Sequence, residues 1–270
     1  MLIATDDAEA VRRPLPLRDT GPYSARNSSK GALIDEAGRV FASLAEGESI
    51  ENIRRQVLLG TLLTQRSRDN RERIWASIQT RCLVPSVPWL TSRLAEASTR
   101  GARSHEFVSL LYLMYTLRDR LAFDFVTGVL WPKRYAVRTV ISRNDVLDLL
   151  KQAAEHQPQI ERWAESTRVK LAGSILTALR DFGILEGQRK KILVRPVLAL
   201  PTAEALLRVL IMEGCRGREV LQDRAWRLFL LSESEVASTL SKLALQGPIR
   251  FEKTGTTVVL ETPAAWEACP

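Results

Sequence analysis

The chain has little from which a catalytic or metal centre could be built. Its 270 residues include two histidines, His105 and His156, far apart in sequence. The three cysteines, Cys82, Cys215 and Cys269, are equally scattered, and none stands at a metal-ligand spacing from a histidine. An odd, dispersed set of cysteines argues against a disulfide framework and for a reducing, cytoplasmic setting. No GxxxxGK[ST] phosphate loop and no GxGxxG dinucleotide turn occurs. Carboxylates are numerous and ordinary in spacing, so no acid–base pair stands out, although a carboxylate metal site assembled only in three dimensions stays open. Long apolar runs are missing too. Uncharged stretches such as Phe107 to Leu117 fall short of the roughly 18–20 apolar residues a membrane-crossing helix needs. The start, Met1 to Arg13, carries acids and no apolar core, unlike a secretory signal.

Cations, by contrast, are in surplus. Lysine and arginine total 39 against 31 acids, a formal charge of +8, which biases the chain towards a polyanion such as nucleic acid or an anionic membrane surface. Hydrophobic residues make up 45%, enough for an ordinary globular core.

Residues 1–22, with Pro14 and Pro16 and little apolar periodicity, read as a flexible arm or extended wrap. A helical module follows over 23–98. Leu33, Ala37, Val40, Phe41 and Leu44 recur at helical spacing, Ser49 is placed to cap a second helix, and Gly60 ends it. Ser67 to Leu83 forms a third, giving a helix-turn-helix-like arrangement. After Pro88 comes a modest helix over 89–97. The segment from His105 to about Val129 reads as one strong helix, apolar on more than one face and so central. Ser142 and Asp145 form a capping box, and Pro158 starts a short helix. Ser166 then caps a long helix ending at Gly183, and a β-hairpin turns at 186–188. That order over 99–200 reads as a winged helix. The order recurs over 201–270: helices at 202–213 and 219–231, a capping box at Ser232 and Glu235, a third helix to Gly247, then strands at 249–253 and 256–261. The fold class is mainly α, a helical N-terminal module plus two winged-helix-like units with small β-hairpins.

Several stretches together carry a resemblance. Tyr23-Ser24-Ala25 leads into Lys30-Gly31 and Asp35-Glu36. Asp119-Arg120 runs through Asp124-Phe125-Val126-Thr127 to Trp131-Pro132. Trp163 to Arg168, Leu179 to Leu185, and Trp226 to Leu230 complete the pattern. In combination these resemble the BrxA family of bacteriophage-exclusion (BREX) defence systems over roughly residues 23–262. One departure is local: Ala164 separates Trp163 from the Glu-Ser-Thr-Arg run. The resemblance implies an accessory protein encoded beside a DNA methyltransferase and ATPases, binding duplex DNA, with no catalytic residues to carry over.

Three groups offer cations or a groove-sized face for phosphates. Arg66, Arg68, Arg71 and Arg73 open the third helix, where Arg66 and Arg73 would share a face, but interleaved Asp69 and Glu72 allow simple surface pairing. On the helix from Ser166 to Phe182, Thr167, Lys170, Ser174 and Thr177 face outward, a small polar surface that could enter a major groove or merely face water. Arg189, Lys190 and Lys191, with Arg195 behind, sit on the hairpin with no acid between Glu186 and Glu204. Adjacent like charges repel and serve little structural purpose there. In the last unit Glu235, Ser238 and Lys242 are nearly neutral, so that unit, Lys253 apart, suits a protein partner as well as DNA. The six tryptophans fall in apolar helical patterns and read as core. The resulting expectation is a non-enzymatic protein without cofactor, contacting double-stranded DNA mainly through phosphates and other BREX components as partners. A protein–protein adaptor, an RNA-binding bundle and a metal-dependent nuclease are the alternatives.

Overall fold

The computed structural model describes residues 17–27, 31–84 and 87–266. The chain is mainly helical, with two small antiparallel sheets. Local chemistry sets most element ends. α1 (Ile34–Ala45) is followed by α2 (Ile50–Leu59), whose Ser49 cap accepts the Asn52 N–H. Gly60, at φ 84°, closes α2 in the left-handed region that glycine adopts without strain. α3 (Arg68–Ile78) is capped by Ser67 and continues as a wide π-helical turn over Gln79–Leu83. α4 (Pro88–Ser98) starts on a proline at its first position, where the missing N–H has no cost.

α5 (His105–Leu117) is buried almost all round, as its apolar pattern predicts. It packs against elements from the N-terminal, central and C-terminal parts of the chain. Phe107 meets Phe41 of α1 edge-on, with ring centroids 6.1 Å apart. Tyr112 lies 5.4 Å from both Phe182 and Phe229 and donates its hydroxyl hydrogen to Leu228 O at 2.8 Å. One apolar cluster thus runs from Leu17 to Trp266.

The single helix expected from His105 to about Val129 is interrupted. Asp119 takes an extended conformation and caps a new helix, α6 (Arg120–Asp124), by accepting the Ala122 N–H at 3.0 Å. A π-helical stretch, Phe125–Leu130, and a 3-10 turn, Trp131–Lys133, follow. Apolar periodicity continues across the break, so only the capping carboxylate marks it.

β1 (Val140–Ile141) leads into α7 (Arg143–Ala154) through the Ser142–Asp145 capping box. The 3-10 turn Pro158–Ile160 connects to α8 (Glu165–Asp181). Ser166 does not cap α8: Ala164 occupies the cap position without a side-chain bond, and Ser166 lies within the first turn. β2 (Leu185–Glu186) and β3 (Lys191–Leu193) form a hairpin, and β1 pairs with β3 in the order β1-β3-β2, with Val140 opposite Ile192 and Leu185 opposite Leu193.

The last part comprises α9 (Leu200–Met212), α10 (Arg218–Gln222), α11 (Glu233–Gln246) and the hairpin β4 (Arg250–Thr254) with β5 (Thr257–Glu261). The helix expected over 219–231 splits at Asp223. This residue is extended and caps a separate 3-10 helix, Arg224–Phe229, by accepting the Ala225 N–H at 2.7 Å.

Of residues 1–22, read from sequence as a flexible arm or extended wrap, 17–22 begin an extended strap over 17–27, and residues 1–16 lie outside the described residues. Arg18 pairs with Glu213 at 2.6 Å and Asp223 at 3.1 Å. The Asp19 N–H donates to Leu117 O at 2.7 Å. The Tyr23 N–H donates to Gln157 Oε1 at 2.7 Å, and its hydroxyl to Asp124 at 3.0 Å. Asn27 donates to Asp119, and Arg81 donates to Asn27 Oδ1 at 2.6 Å. The strap therefore ties α3, the α5–α6 junction and the C-terminal part together.

Asp119 is buried, and desolvation raises its carboxyl above the ordinary value; the Asn27 hydrogen bond, the Ala122 N–H and the Arg81 charge oppose that rise. The native chain then holds this proton where the unfolded chain has released it, so its contribution to stability is lost as pH rises through the folded value. Relative to Asp119→Asn, the wild type is expected to lose stability as pH rises from about 4, the ordinary aspartate value, in urea titrations. An opposite trend would mean that the buried carboxylate is net stabilised. Asp119→Ala, which removes the cap and the partner of Asn27, is expected to cost roughly 2–4 kcal/mol.

Candidate nucleic-acid interface

The cations singled out by sequence fall into two classes once their partners are seen. Arg71 is structural. Its Nη1 donates to Gln65 O at 2.6 Å and Arg66 O at 3.0 Å, while Nη2 donates to Leu58 O at 2.9 Å. The guanidinium closes the loop between α2 and α3, and a Cβ at Gly60 would stand 3.1 Å from its Cζ. Arg68 pairs with Glu72 at 3.1 Å along α3, a surface pair worth little. Arg66 does not share a helical face with Arg73, because the Ser67 cap is extended and leaves Arg66 in the loop. Arg66 and Arg73 are exposed and have no ion pair among the described residues.

α8 places Lys170 in solvent and leaves Thr167, Ser174 and Thr177 half-buried. The expected outward face is therefore partly covered. A Cβ at Gly31 would lie 3.9 Å from Thr177 Cγ2, and the Thr177 hydroxyl donates back to Gly173 O at 2.9 Å. Sequence reasoning missed Arg143. From the first position of α7 this exposed side chain lies over Gly173 on α8, where a Cβ would be 3.6 Å from its Nε. The signal was present: a glycine inside an amphipathic helix marks a close approach.

The β2–β3 hairpin is fixed to the end of α8. Arg180 bonds Asp181 at 2.7 Å and donates to Gln188 Oε1 at 3.1 Å. Gly187, at φ 92°, makes the turn, and a side chain there would collide with the Lys190 carbonyl. Lys191 folds back to donate to Gln188 O at 3.1 Å. Arg189 and Lys190 remain exposed, with no ion pair among the described residues. Arg195 does not join them, because it bonds Glu235 of the α11 capping box at 2.5 Å and links the central and C-terminal parts. Among the described residues, Lys170, Arg143, Arg189 and Lys190 are thus exposed cations on or beside α8 that have no ion pair.

The cations of the C-terminal hairpin are paired within it and with α11. Arg250 pairs with Glu252 and Glu261, and Lys253 with Glu233. Among the described residues, no helix is long and apolar enough to cross a membrane.

A family model described as BrxA matches residues 21–209. No curated protein matches the chain. Among solved structures, the crystal structure of an uncharacterized protein from Magnetospirillum magneticum is similar at 16% identity and a TM-score of 0.60, covering 78% of this chain and all of that one. That likeness is one of fold.

Two arginines that look equivalent in sequence are expected to separate in equilibrium denaturation. Arg71→Ala should lose roughly 1–3 kcal/mol by leaving the Leu58 and Gln65 carbonyls unsatisfied. Arg66→Ala should stay within about 0.5 kcal/mol of wild type.

Proposed function

The chain belongs to the BrxA family, and from that premise we propose that it is a non-enzymatic, cytoplasmic DNA-binding accessory protein of a BREX defence system. In this reading the 99–200 part is a winged helix, with α8 as the helix presented to duplex DNA and the β2–β3 hairpin as its wing. The observation that carries it is the wing: Arg189 and Lys190 are held in solvent without ion-pair partners, on a turn that Arg180 anchors to α8. Two adjacent free cations on a fixed hairpin suit phosphates along a duplex backbone. Lys170 and Arg143 extend the same positive surface along α8. The half-buried threonines leave α8 a shallow reader, so backbone contacts dominate and sequence preference is modest.

The C-terminal part invites a different partner. On the hairpin Arg250 pairs with Glu252 and Glu261, and Lys253 with Glu233 of α11, which favours other BREX proteins over nucleic acid for the hairpin surface.

Fluorescence anisotropy of a random-sequence duplex across a salt series tests the reading. Wild type should bind with a steep dependence of log affinity on log salt. Arg189→Ala/Lys190→Ala should bind more weakly, with a slope shallower by about one to two units. Unchanged binding in the variant would remove DNA from the wing. Absence of binding by either protein at low salt would leave the adaptor as the better account, and tighter binding of a matched RNA duplex would replace DNA by RNA.

A further inference from the structure

A second positive feature lies away from the wing. Between α3 and the strap turn at 24–27 is a cleft of about 400 Å³ whose lining includes Arg26, Arg73, Arg81 and Arg118. No carboxylate lines it among the described residues. Outside the lining, Asp19 forms a long ion pair with Arg26 at 3.7 Å and also accepts the Gly21 N–H. Asp119 lies behind Asn27 and is held by it.

The local fold explains how four like charges come together. Arg73, Ser77 and Thr80 succeed one another along one face of α3 and its continuation. The wide turn over Gln79–Leu83 then swings Arg81 inward, to 6% exposure, where it donates to Gly31 O at 2.8 Å and lies 5.0 Å from the Tyr115 ring. Arg118 reaches the cleft from the end of α5. Its terminal nitrogens make long bonds to Leu17 O and Val84 O, at 3.4 and 3.2 Å, and its buried Nε has no hydrogen-bond partner among the described residues. Burial lowers its pKa; Asp19 opposes that shift and the charge of Arg26 adds to it. Arg26 and Arg73 stand at the mouth, and Arg73 has no ion pair among the described residues. Cations gathered around an open cleft repel one another at a cost that an anion between them would remove.

We propose that this cleft is a phosphate-binding pocket that takes a phosphoryl or phosphodiester group between Arg26 and Arg73, above Arg81 and Arg118. Its volume exceeds that of one phosphate and suits a nucleotide or a short piece of nucleic-acid backbone. Both sources present the same chemistry. Gly31, whose carbonyl holds Arg81, lies beside Asp181 and Thr177 of α8.

The probe is inorganic pyrophosphate, titrated calorimetrically into the full chain at constant ionic strength. Saturable one-site binding is expected, weakened about tenfold or more by Arg73→Glu and by Arg26→Glu and unchanged in Arg189→Ala/Lys190→Ala. The melting temperature of each variant verifies that the fold is retained, and Arg73→Lys should keep most of the affinity if a folded pocket holds the anion. Absence of saturable binding, or wild-type affinity retained in both glutamate variants, overturns the proposal. If pyrophosphate displaces a labelled duplex, the occupant is DNA backbone; if it binds without displacement, the occupant is a free phosphorylated compound. Duplex binding that persists without pyrophosphate binding would remove the pocket and leave the wing reading intact. Pyrophosphate binding without duplex binding would do the reverse.

Discussion

A carboxylate with almost no access to water has to be answered by other groups, and in this chain the answer organises the centre of the fold. Asp119 breaks the long central helix, caps its second half and is held in place by Asn27, which in turn receives Arg81. Removing any one member strands the others. A buried arginine without its relay, or a buried acid without its donors, is among the costliest defects an interior can carry. Because Asn27 belongs to the strap, Arg81 to the turn after α3, and Asp119 to the α5–α6 junction, this one network fixes the mutual position of three segments distant in sequence. The strap then reaches on to Glu213 and Asp223 through Arg18.

Sequence signals were strong where the physics is local. The Ser49 cap, the Ser142–Asp145 and Ser232–Glu235 boxes and the Gly60 and Gly183 stops are decided by bonds a few residues long, and all could be read directly. The all-round apolarity of α5 announced its central place. The break at Asp119 could not be read that way, because the apolar pattern runs across it and the partners that hold the break are some 90 and 40 residues away, at Asn27 and Arg81. The split at Asp223 has the same origin, with Arg18 as its distant partner.

The candidate interface divides similarly. Neighbouring cations on a hairpin tip, as at Arg189 and Lys190, have no local acid to meet and stay in solvent. Arg71 and Arg195 looked equivalent to them in one dimension, yet one is consumed by the Leu58 and Gln65 carbonyls and the other by Glu235. Arg26, Arg81 and Arg118 were passed over because they lie on three segments far apart in sequence. Only the strap and the wide turn after α3 bring them to Arg73. Charge spacing along a chain reports surface clusters on a single element and is silent about clusters made by tertiary folding.

The sheets carry a last implication. β1 and β2, which form the two edges of the three-stranded sheet, are two residues long, so each edge offers only a handful of backbone donors and acceptors to another chain. The longer β4–β5 hairpin has both edges open, but it bears Arg250, Glu252 and Lys253 on one strand and Glu261 on the other. Short edges and charged edges are the two common defences against strand addition between molecules. The protein has both, so a crowded solution should find few templates on it from which to nucleate β-aggregates.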